Sequence, residues 1–137
     1  MNISIEVLVN SSLQQAWIAW TSPDHIVKWN FASDDWHCPS AAVELQVGGQ
    51  YSSRMEAKDG SMGFDFKAQF TQVIDQQRLE YVLEDDRKVT VEFLPSAKGV
   101  QVIETFEAES ENSPELQRQG WQSILNNFKQ HVESAHA

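Results

Sequence analysis

The stretch PELQRQGWQSILNNFKQHV, residues 114–132, sets Trp121, Ile124, Leu125, Phe128 and Val132 at offsets of three, four, seven and eleven. Side chains so spaced share one face of a helix, so this segment is a long amphipathic helix whose apolar stripe needs a partner surface. Ser113 and Pro114 suit its start, and Glu115 falls in its first turn, where the helix dipole favours a negative charge. Upstream the chain reads mainly as strands. One long helix laid over an antiparallel sheet buries such a stripe, and a strongly curved sheet leaves a cavity beneath it.

The strands show in side-chain alternation. Ile3, Ile5, Val7 and Val9 give a first strand with a β-branched core face. Ser11 or Ser12 can cap a helix over Leu13–Trp20, and Ser22-Pro23 opens a second short helix to about Trp29. Residues 30–40 read as irregular chain and Ala41–Val47 as a strand closed by Gly48-Gly49. Asp59-Gly60 is a type I′ turn signal between the alternating runs Tyr51–Lys58 and Ser61–Phe70. A two-residue loop pairs Ala57 with Met62, Met55 with Phe64 and Ser53 with Phe66. Met55, Met62, Phe64, Phe66, Ala68 and Phe70 then share one face. Strands follow at Leu79–Glu84, Lys88–Leu94 and Val100–Glu107, with Asp85-Asp86-Arg87 as the first turn between them. The order β-α-α-β-β-β-β-β-β-α describes a single α+β domain.

Composition narrows the function. Twenty acidic against ten basic side chains give a net charge of −10, which repels nucleic-acid backbones and anionic membrane surfaces. Apolar runs are too short to span a membrane, and the strand-like N-terminus lacks the pattern of a signal peptide. With the lone Cys38, this makes the cytoplasm the expected location. Glu104, Glu107, Glu109, Glu111 and Glu115 follow one another with no basic residue among them, a solvated edge or a docking patch for a basic partner.

Most chemistries lack their residues. His25, Asp34, Asp35, His37 and Cys38 show no metal-ligand spacing, and adjacent His37 and Cys38 point apart in extended chain. A Cys38 nucleophile would need His25 to arrive from the preceding helix. Gly48-Gly49 leads into a strand, so it is no phosphate loop, and no cofactor is expected. Trp17, Trp20, Trp29 and Trp36 have only Lys28 among them, which suits core and cavity-mouth packing better than base stacking. Gly120, in mid-helix, suggests close approach of helix and sheet beside Trp121. Glu104 stands out because it shares strand parity with Val100, Val102 and Phe106. An uninterrupted strand turns its carboxyl inward, as a ligand anchor or acid–base group; a bulge or early strand end turns it to solvent.

Several stretches resemble one group of bacterial SRPBCC proteins. They are Trp29-Asn30 with Asp34–Pro39, Val47-Gly48-Gly49, Met55–Phe66 with its Asp59-Gly60 turn, and Gln117-Arg118-Gln119-Gly120-Trp121-Gln122. The group is named for similarity to the C-terminal domain of the activator of heat-shock protein 90 ATPase, and the likeness runs essentially end to end. It departs at Asp86, where relatives often have Gly, at Gln46 for Arg, and at Glu44 for Asp. The resemblance implies the helix-grip fold, a curved sheet wrapped around the C-terminal helix over a cavity. With the ring-rich inner face, that fold makes non-enzymatic binding of a small hydrophobic or aromatic molecule there the expected function, in a stress-related setting. The expected cavity residues are Met55, Met62, Phe64, Phe66, Tyr81, Glu104, Phe106, Trp121, Leu125 and Phe128. The rivals are a chaperone-associated interaction module and a cyclase or hydrolase acting on a polyketide-like substrate through Glu104.

Overall fold

A computed structural model describes residues 1–135. Its strands are β1 (Asn2–Val9), β2 (Trp36–Val43), β3 (Gln50–Ala57), β4 (Gly63–Ile74), β5 (Arg78–Leu83), β6 (Lys88–Ser96) and β7 (Gly99–Glu107). Helices α1 (Leu13–Thr21) and α2 (Pro23–Ile26) separate β1 from β2, and α3 (Pro114–Ala135) ends the chain. The strands form one curled antiparallel sheet in the order β1-β7-β6-β5-β4-β3-β2, and the helices lie on its concave face: the helix-grip fold. Each predicted alternation holds in β1, β3, β5, β7 and β6 as far as Phe93, where every second residue is buried.

The sheet curls where strands carry an extra residue. In β4, Phe70 pairs with Tyr81 but Gln72 with Glu80, which leaves Thr71 unpaired, and such a bulge sharpens the twist. In β2 the register slips between His37 and Ser40, across Cys38-Pro39. A proline is tolerated there because β2 is an edge strand and its missing N–H falls at the bulge. This corrects the expectation of irregular chain over 30–40 and a strand at 41–47: Pro39 and the polar composition hid a strand that starts at Trp36.

Two turns also differ from expectation. The β3–β4 register is as predicted, with Met55 opposite Phe64 and Ser53 opposite Phe66. Its turn is not type I′, however. Gly60 has φ +78° while Asp59 keeps a negative φ and uses its carboxylate to accept the Ser61 N–H at 2.8 Å. Between β5 and β6 the three turn residues are Glu84-Asp85-Asp86, so the ladder sits one pair earlier than predicted and Tyr81 faces Val89. Asp86, at φ +68°, supplies the left-handed residue that closes a three-residue loop, a conformation aspartate tolerates.

Helix α1 starts with a reciprocal capping box between Ser12 and Gln15. Ser113 caps α3 through its side chain, which accepts the Leu116 N–H at 3.1 Å. Helix α3 runs along β1, the other edge strand. From that flank Arg118 donates to the Ser4 carbonyl at 2.8 Å, Gln122 to Glu6 at 3.3 Å and Lys129 to Leu8 at 2.6 Å. These bonds satisfy alternate outward carbonyls of an edge that would otherwise be open to pairing.

Gly120 does not mark a close approach. A Cβ built there meets nothing within 4 Å, so packing does not demand glycine. Gly120→Ala is therefore expected to stabilise the protein by about 0.5–1 kcal/mol, through helix propensity and unfolded-state entropy. Thermal unfolding checks this: a rise of about 2–4 °C is expected, and a fall would reveal an unseen backbone requirement.

Candidate functional site

Helix α3 fills only half of the concave face. Leu125, Phe128 and Val132 are fully buried, and the Phe128 ring meets Trp20 at 4.9 Å and Trp29 at 5.1 Å, edge to face. Towards the helix N-terminus the packing opens into a cavity of about 510 Å³, within the range of small-molecule sites. Its sheet wall is Tyr51 and Met55 of β3, Phe64 and Phe66 of β4, Tyr81 and Leu83 of β5, and Glu104 of β7. Helical elements contribute Trp20, the Trp29-Asn30 pair after α2, and Gln117, Trp121 and Ile124 of α3. Asp65, Lys67, Glu84, Asp85, Arg87, Glu109 and Asn112 complete the lining.

Of the residues expected at the cavity, Met55, Phe64, Phe66, Tyr81, Glu104 and Trp121 line it. The other four do not. Met62 has the right parity, but it precedes β4 at the end of the hairpin and is 64% exposed. Phe106 lies behind Trp121, which stacks on it at 4.0 Å with planes only 10° apart. Leu125 and Phe128 belong to the solid half of the core. Tyr51, Leu83, Asn30, Ile124 and Gln117 were missed. Tyr51 shares β3 parity with Met55, and Gln117 extends the α3 stripe one turn before Trp121, so both signals were present. Gln117 is buried and spans the β7–α3 connection: it accepts the Glu109 N–H at 2.8 Å and donates to the Asn112 carbonyl at 2.8 Å.

Strand β7 keeps an unbroken register with β1 and β6, so Glu104, opposite Ile5 and Val91, cannot escape its inward parity. It is 6% exposed, and its carboxyl makes no hydrogen bond or ion pair among the described residues. Burial pushes its pKa up to about 8. The phenols of Tyr51 and Tyr81 are held well above their usual range, first by burial and next by the Glu104 charge. Tyr51 donates its hydroxyl proton to the Trp20 carbonyl at 2.8 Å. The Trp20 indole N–H is near enough to the Tyr81 hydroxyl to influence it, yet outside hydrogen-bonding geometry, and it is a buried donor without an acceptor among the described residues.

The other sequence candidates lie apart. Cys38 donates its thiol to the Ser40 carbonyl at 3.4 Å, and burial raises its pKa. His25 Nδ1 lies 2.9 Å from His131 Nε2, so it joins α2 to α3 and does not activate Cys38. Among the described residues no three His, Cys, Asp or Glu side chains gather as a metal site, and no helix is long and apolar enough to cross a membrane.

A long helix gripped by a curled sheet, with a ring-lined cavity between them, defines a helix-grip domain of the SRPBCC superfamily. Within that superfamily the chain belongs to the family described as Activator of Hsp90 ATPase homolog 1-like protein, whose family model matches residues 10–133. A solution structure of an AHSA1-like protein from Aeromonas hydrophila is 47% identical, covers 98% of this chain and 94% of its own, and superposes with a TM-score of 0.93. A protein of Cytophaga hutchinsonii is 40% identical, with 99% of this chain and 96% of that one covered and a TM-score of 0.84. A crystal structure from Nitrosomonas europaea has the same TM-score of 0.84 at 16% identity over 98% of this chain and 96% of that one, a likeness of fold alone. No curated protein matches significantly.

The raised carboxyl has a thermodynamic signature. Glu104 titrates near its ordinary 4.5 when unfolded and near 8 when folded, so between those values the native state binds the extra proton. Its contribution to stability is therefore whole below about pH 4.5 and is lost as pH rises towards 8, by at most about 1.4 kcal/mol per pH unit. Glu104→Gln cannot ionise, and its stability should fall less than wild type between pH 5 and 8 in denaturant titrations. Parallel curves would mean that Glu104 ionises in the folded protein as it does in the unfolded chain.

Proposed function

We propose that the protein binds a small ring-containing apolar molecule between the sheet and α3. The observation that carries this is a cavity of about 510 Å³, lined by large rings and holding a buried carboxyl with no partner among the described residues. The rings supply dispersion and apolar area, and the polar atoms set orientation, the division of labour usual in small-molecule sites. Emptying such a cavity leaves apolar walls without partner atoms, so an occupant stabilises the fold as well as being held.

A second reading is favoured by the position of the Glu104 pKa. A carboxyl near 8 lies in the range where one group both gives and accepts a proton at neutral pH, as a cyclase or hydrolase would need. Turnover abolished in Glu104→Gln with binding retained would identify that role. A chaperone-assisting role draws on the family description. It gains little from the acidic run. Glu104 is inside, Glu107 accepts the Lys88 N–H at 2.9 Å, and Glu109 accepts from the Asn112 backbone and side chain at 2.8 and 2.7 Å.

The test of binding uses N-phenyl-1-naphthylamine, a neutral fluorescent ring compound. Saturable one-to-one binding is expected. Met55→Trp, which fills the cavity, should weaken it by tenfold or more, while Met62→Trp at the exposed hairpin end leaves it unchanged. Equal effects of the two substitutions, or no saturable binding, would remove the cavity as the site. Native mass spectrometry of freshly purified protein, compared before and after denaturation, would identify a co-purified molecule by mass.

A further inference from the structure

The cavity combines two recognition elements that point to one ligand chemistry. Seven of its lining residues are aromatic, among them Trp20, Trp29, Tyr51, Tyr81 and Trp121. Tyr51 and Tyr81 lie with ring centroids 5.2 Å apart and planes 32° from parallel, and both line the same cavity as Glu104, whose charge bears on both phenols. Ring faces attract cations through their quadrupole, most strongly where water is excluded, and a carboxyl with no partner among the described residues completes a site for positive charge once it ionises.

The charge around the opening agrees. Carboxylates in the lining are Asp65, Glu84, Asp85, Glu104 and Glu109, against Lys67 and Arg87. Arg87 is already engaged, donating to Asp85 at 2.6 Å and to the Glu107 carbonyl at 3.4 Å. An acidic mouth on a chain of net charge −10 raises the local concentration of cations and repels anions.

We propose that the cavity selects an organic cation with a ring, an aryl-alkyl amine or quaternary ammonium, its nitrogen held against Glu104 and the Tyr51–Tyr81 pair and its ring beneath Trp121. This rests on the cavity-binding reading above and adds the charge of the ligand to it. A neutral isostere keeps the ring contacts but leaves Glu104 unpartnered. An anion meets the carboxylates with only Lys67 and Arg87 to offset them.

The experiment titrates two probes of equal shape, benzyltrimethylammonium and neopentylbenzene, against the full chain by NMR of the tryptophan indole signals at pH 6 and pH 9. The quaternary nitrogen has no proton to lose, so any pH dependence of its binding belongs to the protein. Facing Glu104 are the phenols of Tyr51 from β3 and Tyr81 from β5, with Cys38 near Tyr51, all shifted upwards. The other charged lining groups are Asp65 and Lys67 from β4, Glu84, Asp85 and Arg87 from the β5–β6 turn, and Glu109 after β7. Expected are tenfold or greater preference for the cation at pH 9, a smaller preference at pH 6, and loss of this pH dependence in Glu104→Gln. Equal or tighter binding of neopentylbenzene at pH 9 would overturn the cation proposal while leaving the apolar cavity standing. Cation preference unaltered in Glu104→Gln would also overturn it. Failure of both probes to bind would overturn the cavity reading together with it.

Discussion

The structure depends on one helix having two working flanks. The apolar stripe of α3 fills the concave face of the sheet, each large side chain buried there contributing about 1.5–3 kcal/mol. Beside the stripe, Arg118, Gln122 and Lys129 reach the carbonyls of β1. The first flank holds the helix in the grip, and the second ends the sheet at β1 by occupying acceptors that another chain could otherwise use. At the far edge a different device serves, a bulge with Pro39 in β2. Because the helix is anchored along β1, its distance from β3, β4 and β5 is set by the curl of the sheet, and the cavity opens on that side.

The cavity is therefore a consequence of uneven filling along a single helix. Phe128 meets the rings of Trp20 in α1 and of Trp29 directly and Leu125 is fully buried, whereas one or two turns earlier Trp121 lies flat on Phe106 at the cavity wall. Gln117 and the Glu109–Asn112 segment hold the nearby connection in place with five hydrogen bonds through the Gln117 and Glu109 side chains. Glu104 costs the fold stability as pH rises, because burial opposes its charge and it has no ion-pair partner among the described residues. Its position at the cavity wall is what the proposed ligand binding would account for.

Much of this was legible in order and alternation. The β1 core face, the β3–β4 register, the caps of α1 and α3 and the parity Glu104 shares with Val100, Val102 and Phe106 all follow from local rules. A strand sends alternate residues to one face, and the Asp59-Gly60 turn limits the possible pairings. The misses share a cause. The β2 strand contains Pro39, and its bulge is specified by pairing with β3, which lies outside the segment. The β5–β6 turn slipped by one pair because a three-residue loop can be placed at either position without changing which face Tyr81 and Val89 use. Met62, Phe106, Leu125 and Phe128 had the right parity for the inner face, but parity does not say how far the helix covers the sheet or which rings stand in front.

The sequence by itself determined the element order, the core faces of β1, β3, β5, β6 and β7 and the parity that Glu104 shares with its apolar neighbours, since these depend on periods of two and 3.6 residues within short segments. Tertiary structure alone decided the rest. It decided that Glu104 and the Trp20 N–H have no partner among the described residues, and that Tyr51, Tyr81 and Trp121 converge from β3, β5 and α3. Those are distances between elements far apart in the chain. They are fixed by the twist of seven strands and the seating of one helix, quantities that no local pattern encodes.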